Sequence, residues 1–234
     1  MSRRLVFAHR GASGSRFENT LSAFSAAVQQ RADGIELDVQ VTADGVPVVV
    51  HDEDLVRVAG IRRKVSDMYA SELQNIRVGK RFIRSLFGHP IPTLREAISF
   101  CAINQLALNI ELKASVAENC SILEEIIDMA GLLDNVHISS FDETLIQQIK
   151  TLHPQMETAL LLRKKTTDWD SLHRYTFADG FHFHKRLYKE PFLSKLEASG
   201  KRLRVYGVTG NEPFVQSPSA AVVGWITDFP QRFS

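Results

Sequence analysis

The stretch GIELDVQVTADGVPVVVH, residues 34–51, holds two apolar runs, Gly34–Val39 and Val46–Val50, with only a few residues between them. A parallel crossover needs about a dozen residues or more, so this pair predicts an antiparallel hairpin. Asp44-Gly45 reads as its two-residue turn, because both central positions of such a turn take positive φ. That register pairs Ala43 with Val46, Gln40 with Val49 and Asp38 with His51, and so returns His51 beside Asp38. Glu36 and Asp38 are two residues apart on an apolar strand, so both carboxylates face the same side.

Outward from the hairpin, further short apolar runs follow at Val6–Ala8, Leu106–Leu112, Val136–Ser140, Thr158–Leu162, Gly180–Phe183, Leu203–Val208 and Gly224–Thr227. Helical patterns lie between most of them. Thr20–Gln30 sets Leu21, Phe24 and Val28 on one face, and Ser121–Met129 and Glu143–Leu152 are similar. Thr93-Leu94-Arg95-Glu96 is a capping box that opens a helix through Phe100. Strand–helix alternation argues for a parallel sheet, and eight such units argue for closure into a (β/α)8 barrel of the TIM type. An open doubly wound sheet is the competing architecture. The chain reads as a single domain, 1–234, with a small insertion at 54–90 beside the barrel mouth. Within it, Ser66–Ile76 predicts a short helix and Val78–Pro92 a loop.

With 234 residues and 44% hydrophobic content, the chain suits one domain with a sizeable core. A formal net charge of +1 gives no electrostatic footprint for nucleic acid or for an anionic membrane. The basic runs Arg62-Arg63-Lys64 and Arg163-Lys164-Lys165 read as solvated loops. Cys101 and Cys120 stand in no metal or redox spacing and fit a reducing compartment with two packed thiols. No apolar run approaches the roughly 20 residues of a membrane span. Leu5–Ala8 reads as the first core strand with no leader before it. The expectation is a cytoplasmic protein with no stable membrane association and no sequence signal for its oligomeric state.

In a parallel barrel the active site lies at the C-terminal ends of the strands. That rule selects His9 and Arg10 after the first run, Glu36 and Asp38 on the second, Glu111 and Lys113 on the third, and His51 from the hairpin. Buried carboxylates are costly unless neutralised. Arg10 and Lys113 alone could do so as a structural ion-pair cluster. The set is nevertheless richer than a barrel needs. Three carboxylates suit one hard divalent cation, Mg2+ or Ca2+. Arg10 and Lys113 suit phosphate, one as a fork and one as a point charge. Two histidines suit general acid–base work near neutrality. Together these describe phosphoester hydrolysis.

Read as motifs, His9-Arg10-Gly11, Glu18-Asn19-Thr20, Gly34-Ile35-Glu36-Leu37-Asp38-Val39, Thr42-Ala43-Asp44-Gly45 and His51-Asp52 resemble the signature of the glycerophosphodiester phosphodiesterase family. The resemblance continues in Ile91–Ala97, Ile110-Glu111-Leu112-Lys113, Ser139–Asp142 and Thr227-Asp228, in order over almost the whole chain. It implies a barrel, a divalent metal and a small-molecule glycerophosphodiester substrate cleaved to glycerol 3-phosphate and an alcohol. Carried over, Glu36, Asp38 and Glu111 are metal ligands, His9 and His51 the acid–base pair, and Arg10 and Lys113 the phosphate holders. Glu18 supports the site near His9 or the metal, or else serves as a first-turn acid at a helix N-terminus. The family's Pro before Glu-Asn-Thr is Phe17 here. Its Trp-Thr-Val-Asn segment is Tyr206-Gly207-Val208-Thr209, which keeps an aromatic wall in Tyr206 and alters the polar groups beside it. A lyase stopping at a cyclic phosphate and a non-catalytic binding barrel are the alternatives; no histidine or carboxylate of the set is missing. His182 and His184 share one face of the sixth strand, at the mouth or on the rim. Trp225 reads as core or barrel wall, and His89, His137, His153 and His173 as surface.

Overall fold

The computed structural model describes residues 3–80, 82, 84–119 and 121–233, without the side chains of Arg84 and Ser85. In chain order β1 (Leu5–His9) leads to α1 (Leu21–Gln29), then β2 (Gly34–Val41) and its hairpin partner β3 (Pro47–Val49). The insertion comprises β4 (Asp54–Leu55), α2 (Val56–Ala59), β5 (Ile61–Lys64), α3 (Ala70–Leu73), β6 (Arg77–Val78), α4 (Arg84–Phe87) and β7 (His89–Pro90). The barrel resumes with α5 (Leu94–Asn104), β8 (Ala107–Leu112), α6 (Ala114–Ala117), α7 (Ser121–Ala130), β9 (Val136–Ser140), α8 (Glu143–Leu152) and β10 (Glu157–Leu162). It ends with β11 (Gly180–His184), α9 (Phe192–Ala198), β12 (Arg202–Tyr206), α10 (Pro213–Gln216) and β13 (Val222–Thr227).

Each expected apolar run is a barrel strand. They pair in parallel in the order β1, β13, β12, β11, β10, β9, β8, β2, with β3 antiparallel on β2. Phe7, Ala8 and His9 pair with Gly34, Ile35 and Glu36, which closes the ring and excludes the open sheet. Thr93 caps α5 through a full capping box with Glu96, and Thr20 caps α1 by accepting from Ala23 N at 3.1 Å. On α1 Phe24 is buried, whereas Leu21 is exposed; the alanines Ala23, Ala26 and Ala27 complete the face against the barrel instead. Between β10 and β11 the crossover holds only a 3-10 turn, Leu172–Arg174.

The hairpin register differs by one residue from the expected one. Val39 faces Val49, Gln40 faces Val48 and Val41 faces Pro47. The loop therefore holds three residues, with Gly45 at φ 78 and its N–H donating to Thr42 O at 3.0 Å. Thr42 imposes this shape: its hydroxyl donates to Asp44 Oδ1 at 2.6 Å and accepts from Val46 N at 2.9 Å. A turn followed by one left-handed residue is the next commonest hairpin after the two-residue form. The backbone carbonyl of Asp38 thus accepts from Val50 N, at 3.0 Å, and His51 lies one residue past the ladder, where the chain bends into the mouth.

Alternation organises the core. Outward-facing strand residues such as Ile35, Leu37, Leu108, Ile110, Phe181, Phe183, Leu203 and Trp225 form one apolar cluster with the helices. A second cluster joins the hairpin to the insertion through Val48, Val50, Leu55, Val58, Val65, Met68, Leu73, Val78 and Ile91. Inside the insertion the expected helix at 66–76 is broken, because Met68 and Tyr69 are extended between a 3-10 turn and α3. The expected loop at 78–92 contains α4 and the short pair of β6 with β7. Cys101 is fully buried, and burial pushes its thiol up to about 12; Cys120 lies outside the described residues. Among the described residues no helix is long and apolar enough to cross a membrane.

Gly11 lets the chain turn back immediately after the first strand. Its φ is +79, and a Cβ there would lie 2.7 Å from the backbone carbon of Ala23. Gly200 has φ +67 with nothing within 4 Å of the same added atom. Both replacements by alanine carry the left-handed penalty of about 1–2 kcal/mol. Only Gly11→Ala also forces two backbone segments apart. Denaturant melts should show Gly11→Ala losing at least twice the stability lost by Gly200→Ala; equal losses would refute the close-packing account.

Candidate active site

The C-terminal strand ends surround a pocket of about 350 Å³ lined by His9, Arg10, Glu36, His51, Asn109, Glu111, Lys113, Phe141, Leu161, His182, His184, Tyr206, Gly207, Ile226 and Asp228. A wider cleft of about 710 Å³ lies at the opposite end, around Val136, Glu157 and Arg202. The smaller pocket is the candidate, because the charged cluster and the strand-end rule both select it.

At its base Glu36, Asp38 and Glu111 each present a carboxylate oxygen, all within 4.8 Å of one another. Asp38 on β2 stands directly across from Glu111 on β8. Glu36 and Asp38 are 1% exposed and Glu111 8%. Lys113 bridges Asp38, at 2.7 Å, and Glu111. Arg10 Nε lies 3.1 Å from Asp38 Oδ2, an ion pair without hydrogen-bond alignment. Asn19 Nδ2 donates to the same oxygen at 2.8 Å. Burial raises the Asp38 pKa, but Lys113, then Arg10 and His51, outweigh it and hold the carboxyl below its ordinary range.

Glu36 is less well served. Its Oε2 accepts the Arg10 backbone N–H at 2.9 Å, while its buried Oε1 has no hydrogen-bond partner among the described residues. Burial and the neighbouring Asp38 push this carboxyl up to about 7, against the pull of His9. An oxygen-only trio in which Glu36 Oε1 and Asp38 Oδ1 accept no hydrogen bond among the described residues fits a hard divalent cation, which would supply charge and a partner.

The two histidines are built alike. His9 Nδ1 is 2.7 Å from Asp228 Oδ1, and His51 Nδ1 is 2.7 Å from Asp52 Oδ1. A carboxylate on one ring nitrogen fixes the tautomer and leaves Nε2 for the pocket; His9 Nε2 lies 3.9 Å from Glu36 Oε2. Burial lowers the His9 pKa, but Glu36 and the hydrogen-bonded Asp228 outweigh it, so the value is raised. Asp228 also accepts from Ser13 Oγ at 2.8 Å.

Glu18 stands apart from the pocket lining and two residues before Thr20, the α1 cap, so it is no first-turn acid. It accepts from Arg10 Nη1 at 2.8 Å and takes both ends of the Arg57 fork, at 2.8 and 2.7 Å. Arg57 in turn donates to Asp52 at 2.6 Å. The insertion thereby braces both the His51 dyad and Arg10. Arg10 at φ 54 and Asn19 at φ 53 are held in the left-handed region, a strain that surrounding contacts must sustain.

All the residues selected from sequence, except Glu18, either line the pocket or, like Asp38, sit directly beneath it. Tyr206 forms its wall, edge-on to His184 at 5.3 Å between ring centroids. His182 is fully buried on the pocket floor and His184 lies at its rim. His137, expected at the surface, is 3% exposed inside the barrel, because its strand position faces inward. Asp52 and Asp228 sit in recognisable motifs, but their pairing with the histidines is a tertiary fact. Arg57 carries no sequence signal, since its partners lie on both sides of the hairpin.

The sequence pattern of the glycerophosphoryl diester phosphodiesterase family matches residues 9–232. A glycerophosphodiester phosphodiesterase of Caldanaerobacter subterraneus subsp. tengcongensis is 32% identical over 231 residues, covering 97% of this chain and 95% of that protein. One from Bacillus altitudinis is 32% identical over 234 residues, with 97% and 95% covered. Among solved structures, a glycerophosphodiester phosphodiesterase from Thermotoga maritima superposes with a TM-score of 0.80 at 25% identity, covering 100% of this chain and 98% of that one. An Oleispira antarctica phosphodiesterase, solved in complex with the product sn-glycerol-3-phosphate, shares the fold with a TM-score of 0.84 at 24% identity, covering 98% and 94%. With the barrel and its charged pocket in place, a match over nearly its whole length means that this chain belongs to the glycerophosphoryl diester phosphodiesterase family.

Proposed function

We propose that this chain hydrolyses glycerophosphodiesters at phosphorus, releasing glycerol 3-phosphate and an alcohol, with His9 and His51 as its acid–base pair. The observation that carries this reading is the pair of carboxylate-anchored histidines opening onto one pocket with the buried carboxylate trio. The family membership and the product-bound Oleispira antarctica relative support it.

In this reading Glu36, Asp38 and Glu111 hold one divalent cation, Mg2+ or Ca2+. Such an ion supplies Lewis acidity and a template for substrate oxygens. Arg10 and Lys113 offer the phosphate their positive charge, one through a planar fork and one through a compact ammonium. One histidine takes the proton of the attacking group while the other gives a proton to the departing alcohol oxygen. Asp228 and Asp52 keep each ring in the tautomer that leaves Nε2 free for this exchange, and stabilise the imidazolium when it forms. Residues 54–90 act as an accessory part of the same domain through Arg57, since none of their described residues lines the pocket.

Removal of divalent ions by a chelator and dialysis should abolish release of glycerol 3-phosphate in a coupled assay, and Mg2+, Mn2+ or Ca2+ should restore it. Full turnover in excess chelator would refute the cation assignment. Glu36→Gln and Glu111→Gln should raise the cation concentration needed for half-maximal activity while leaving the circular dichroism spectrum unchanged.

His9→Ala and His51→Ala should each lower kcat by about 10²–10⁴-fold. A nitrophenyl diester needs little protonation of its leaving group, so it should rescue only the variant that lacks the acid. Near-normal turnover of glycerophosphodiesters by both variants would eliminate the two-histidine mechanism. Arg57→Ala touches no pocket group but frees Asp52, and a kcat about tenfold lower with an unchanged Tm is expected. A wild-type kcat for Arg57→Ala would show that the insertion does not brace His51.

A further inference from the structure

The basic run Arg163-Lys164-Lys165 reads from sequence as a solvated loop, and all three side chains are exposed. The first of them is nevertheless held at the pocket. Arg163 directly follows β10, and its guanidinium carbon lies 4.0 Å from the ring centroid of Phe141, which lines the pocket. The loop is closed on itself. Arg163 N–H donates to Thr167 Oγ1 at 3.0 Å, and Thr167 N–H returns to Arg163 O at 3.1 Å. Trp169 Nε1 donates to Lys164 O at 3.1 Å. The Arg163 charge also reaches Tyr206 on the same wall. Burial and Glu111 push that phenol up, while Arg163, then Lys113, draw it down.

No carboxylate lies within ion-pair distance of Arg163 among the described residues. The acids of the neighbouring loops are engaged elsewhere. Asp168 pairs with Arg174 at 3.2 Å, Asp170 with Lys195 at 2.5 Å and Glu212 with Lys185 at 2.6 Å. Asp142, next to Phe141, accepts from the α8 N–H groups of Thr144 and Leu145, at 2.8 and 3.3 Å. Beside Tyr206, His184 has its pKa lowered by burial and then by Arg186 and Lys185, so the rim is positive on that side as well. β10 stands four strands from β1 in either direction round the ring. The rim cation is therefore across the mouth from His9 and Arg10.

We propose that Arg163 selects the departing alcohol by charge: it favours diesters whose alcohol carries a further anionic group, a second phosphate above all, and disfavours those whose alcohol carries a quaternary ammonium. The inference rests on the phosphodiesterase reading and adds the class of alcohol. The phosphate under attack is common to every substrate of the class, and glycerol has no charge of its own. A cation on the rim can therefore discriminate only through the alcohol. An aromatic wall of Phe141 and Tyr206 alone would suit a quaternary ammonium. Here a guanidinium already occupies one face of Phe141 and repels a second cation. A guanidinium carries its N–H donors in a planar fork, the geometry that takes a phosphate by two parallel bonds. An exposed pair of this kind is worth only a few-fold in rate or affinity, and salt screens it.

The test measures kcat/KM, per scissile bond, for release of glycerol 3-phosphate from glycerophosphocholine, glycerophosphoglycerol and bis(glycerophospho)glycerol, whose alcohols are cationic, neutral and anionic. In the wild-type protein at low salt the anionic substrate should exceed the cationic one about fivefold, with the neutral one between, and added NaCl should shrink the ratio. Arg163→Glu should lower the anionic-to-cationic ratio about tenfold, and Arg163→Lys should keep it within about twofold. Arg31→Glu makes the same change in net charge on an exposed residue just before the N-terminal end of β2, and should leave the ratio within about twofold of wild type. Each figure is a ratio within one variant, so a general loss of activity cancels. A ratio that Arg163→Glu does not move, or that Arg31→Glu moves equally, overturns the proposal. A wild-type protein that cleaves none of the three refutes the reaction proposed above. Calorimetric titration of the same compounds into it then decides the selection: a Kd order that Arg163→Glu inverts supports it, and an order that does not respond overturns it.

Discussion

Three carboxylates sit almost without exposure in the mouth of one barrel, and the rest of the site answers that cost. Lys113 and Arg10 neutralise Asp38, Asn19 supplies it a hydrogen bond, and the Arg10 backbone N–H turns onto Glu36. Two of these groups reach their places only through left-handed backbone, at Arg10 and Asn19. The glycine that follows Arg10 packs its backbone against α1, so the bend is held from behind. Among the described residues two oxygens of the trio are left without a hydrogen bond, Glu36 Oε1 and Asp38 Oδ1, and only the second has a cation beside it, Lys113 at 2.7 Å.

The sequence exposed the barrel because its strands are short apolar runs of the right spacing, each ending where chemistry begins. It exposed the pocket because residues two apart on a strand share a face, which fixes Glu36 with Asp38 and Glu111 with Lys113 without any tertiary knowledge. It misjudged features decided by side chains that reach across the local pattern. Thr42 closes its own hydroxyl ring with Asp44 and Val46, adding a residue to the hairpin loop and shifting the ladder by one. His51 still arrives in the pocket, because the chain leaves the ladder before that position and the slip is absorbed in the bend. Met68 and Tyr69 interrupt a helix that propensity favoured, since the Met68 side chain is drawn into the second core. His137 was misplaced on its own strand, where the face shared by Ser139 already pointed inward.

The insertion shows how a segment remote from the reacting atoms becomes part of the site. Its short α2 offers one guanidinium, and that group ties Glu18, and through it Arg10, to Asp52, and through it His51. An Arg fork suits such a junction because its donors have fixed relative directions. The hairpin and the first strand loop are thereby held in mutual register by electrostatics, while the second apolar cluster anchors the insertion itself.

Four of the barrel strands carry two interleaved messages. On β2, β8, β11 and β12 the outward positions, among them Leu37, Ile110, Phe183 and Val205, all belong to the core shared with the helices. The inward positions, among them Asp38, Glu111, His182 and Arg204, are polar and contribute nothing to that cluster. Apolar burial on these strands is thus concentrated in an outer annulus, while the side chains that line the pocket stand in the lumen. Substitutions can therefore rewrite the lumen one alternate residue at a time, changing what is bound while the wall that encloses it stays standing.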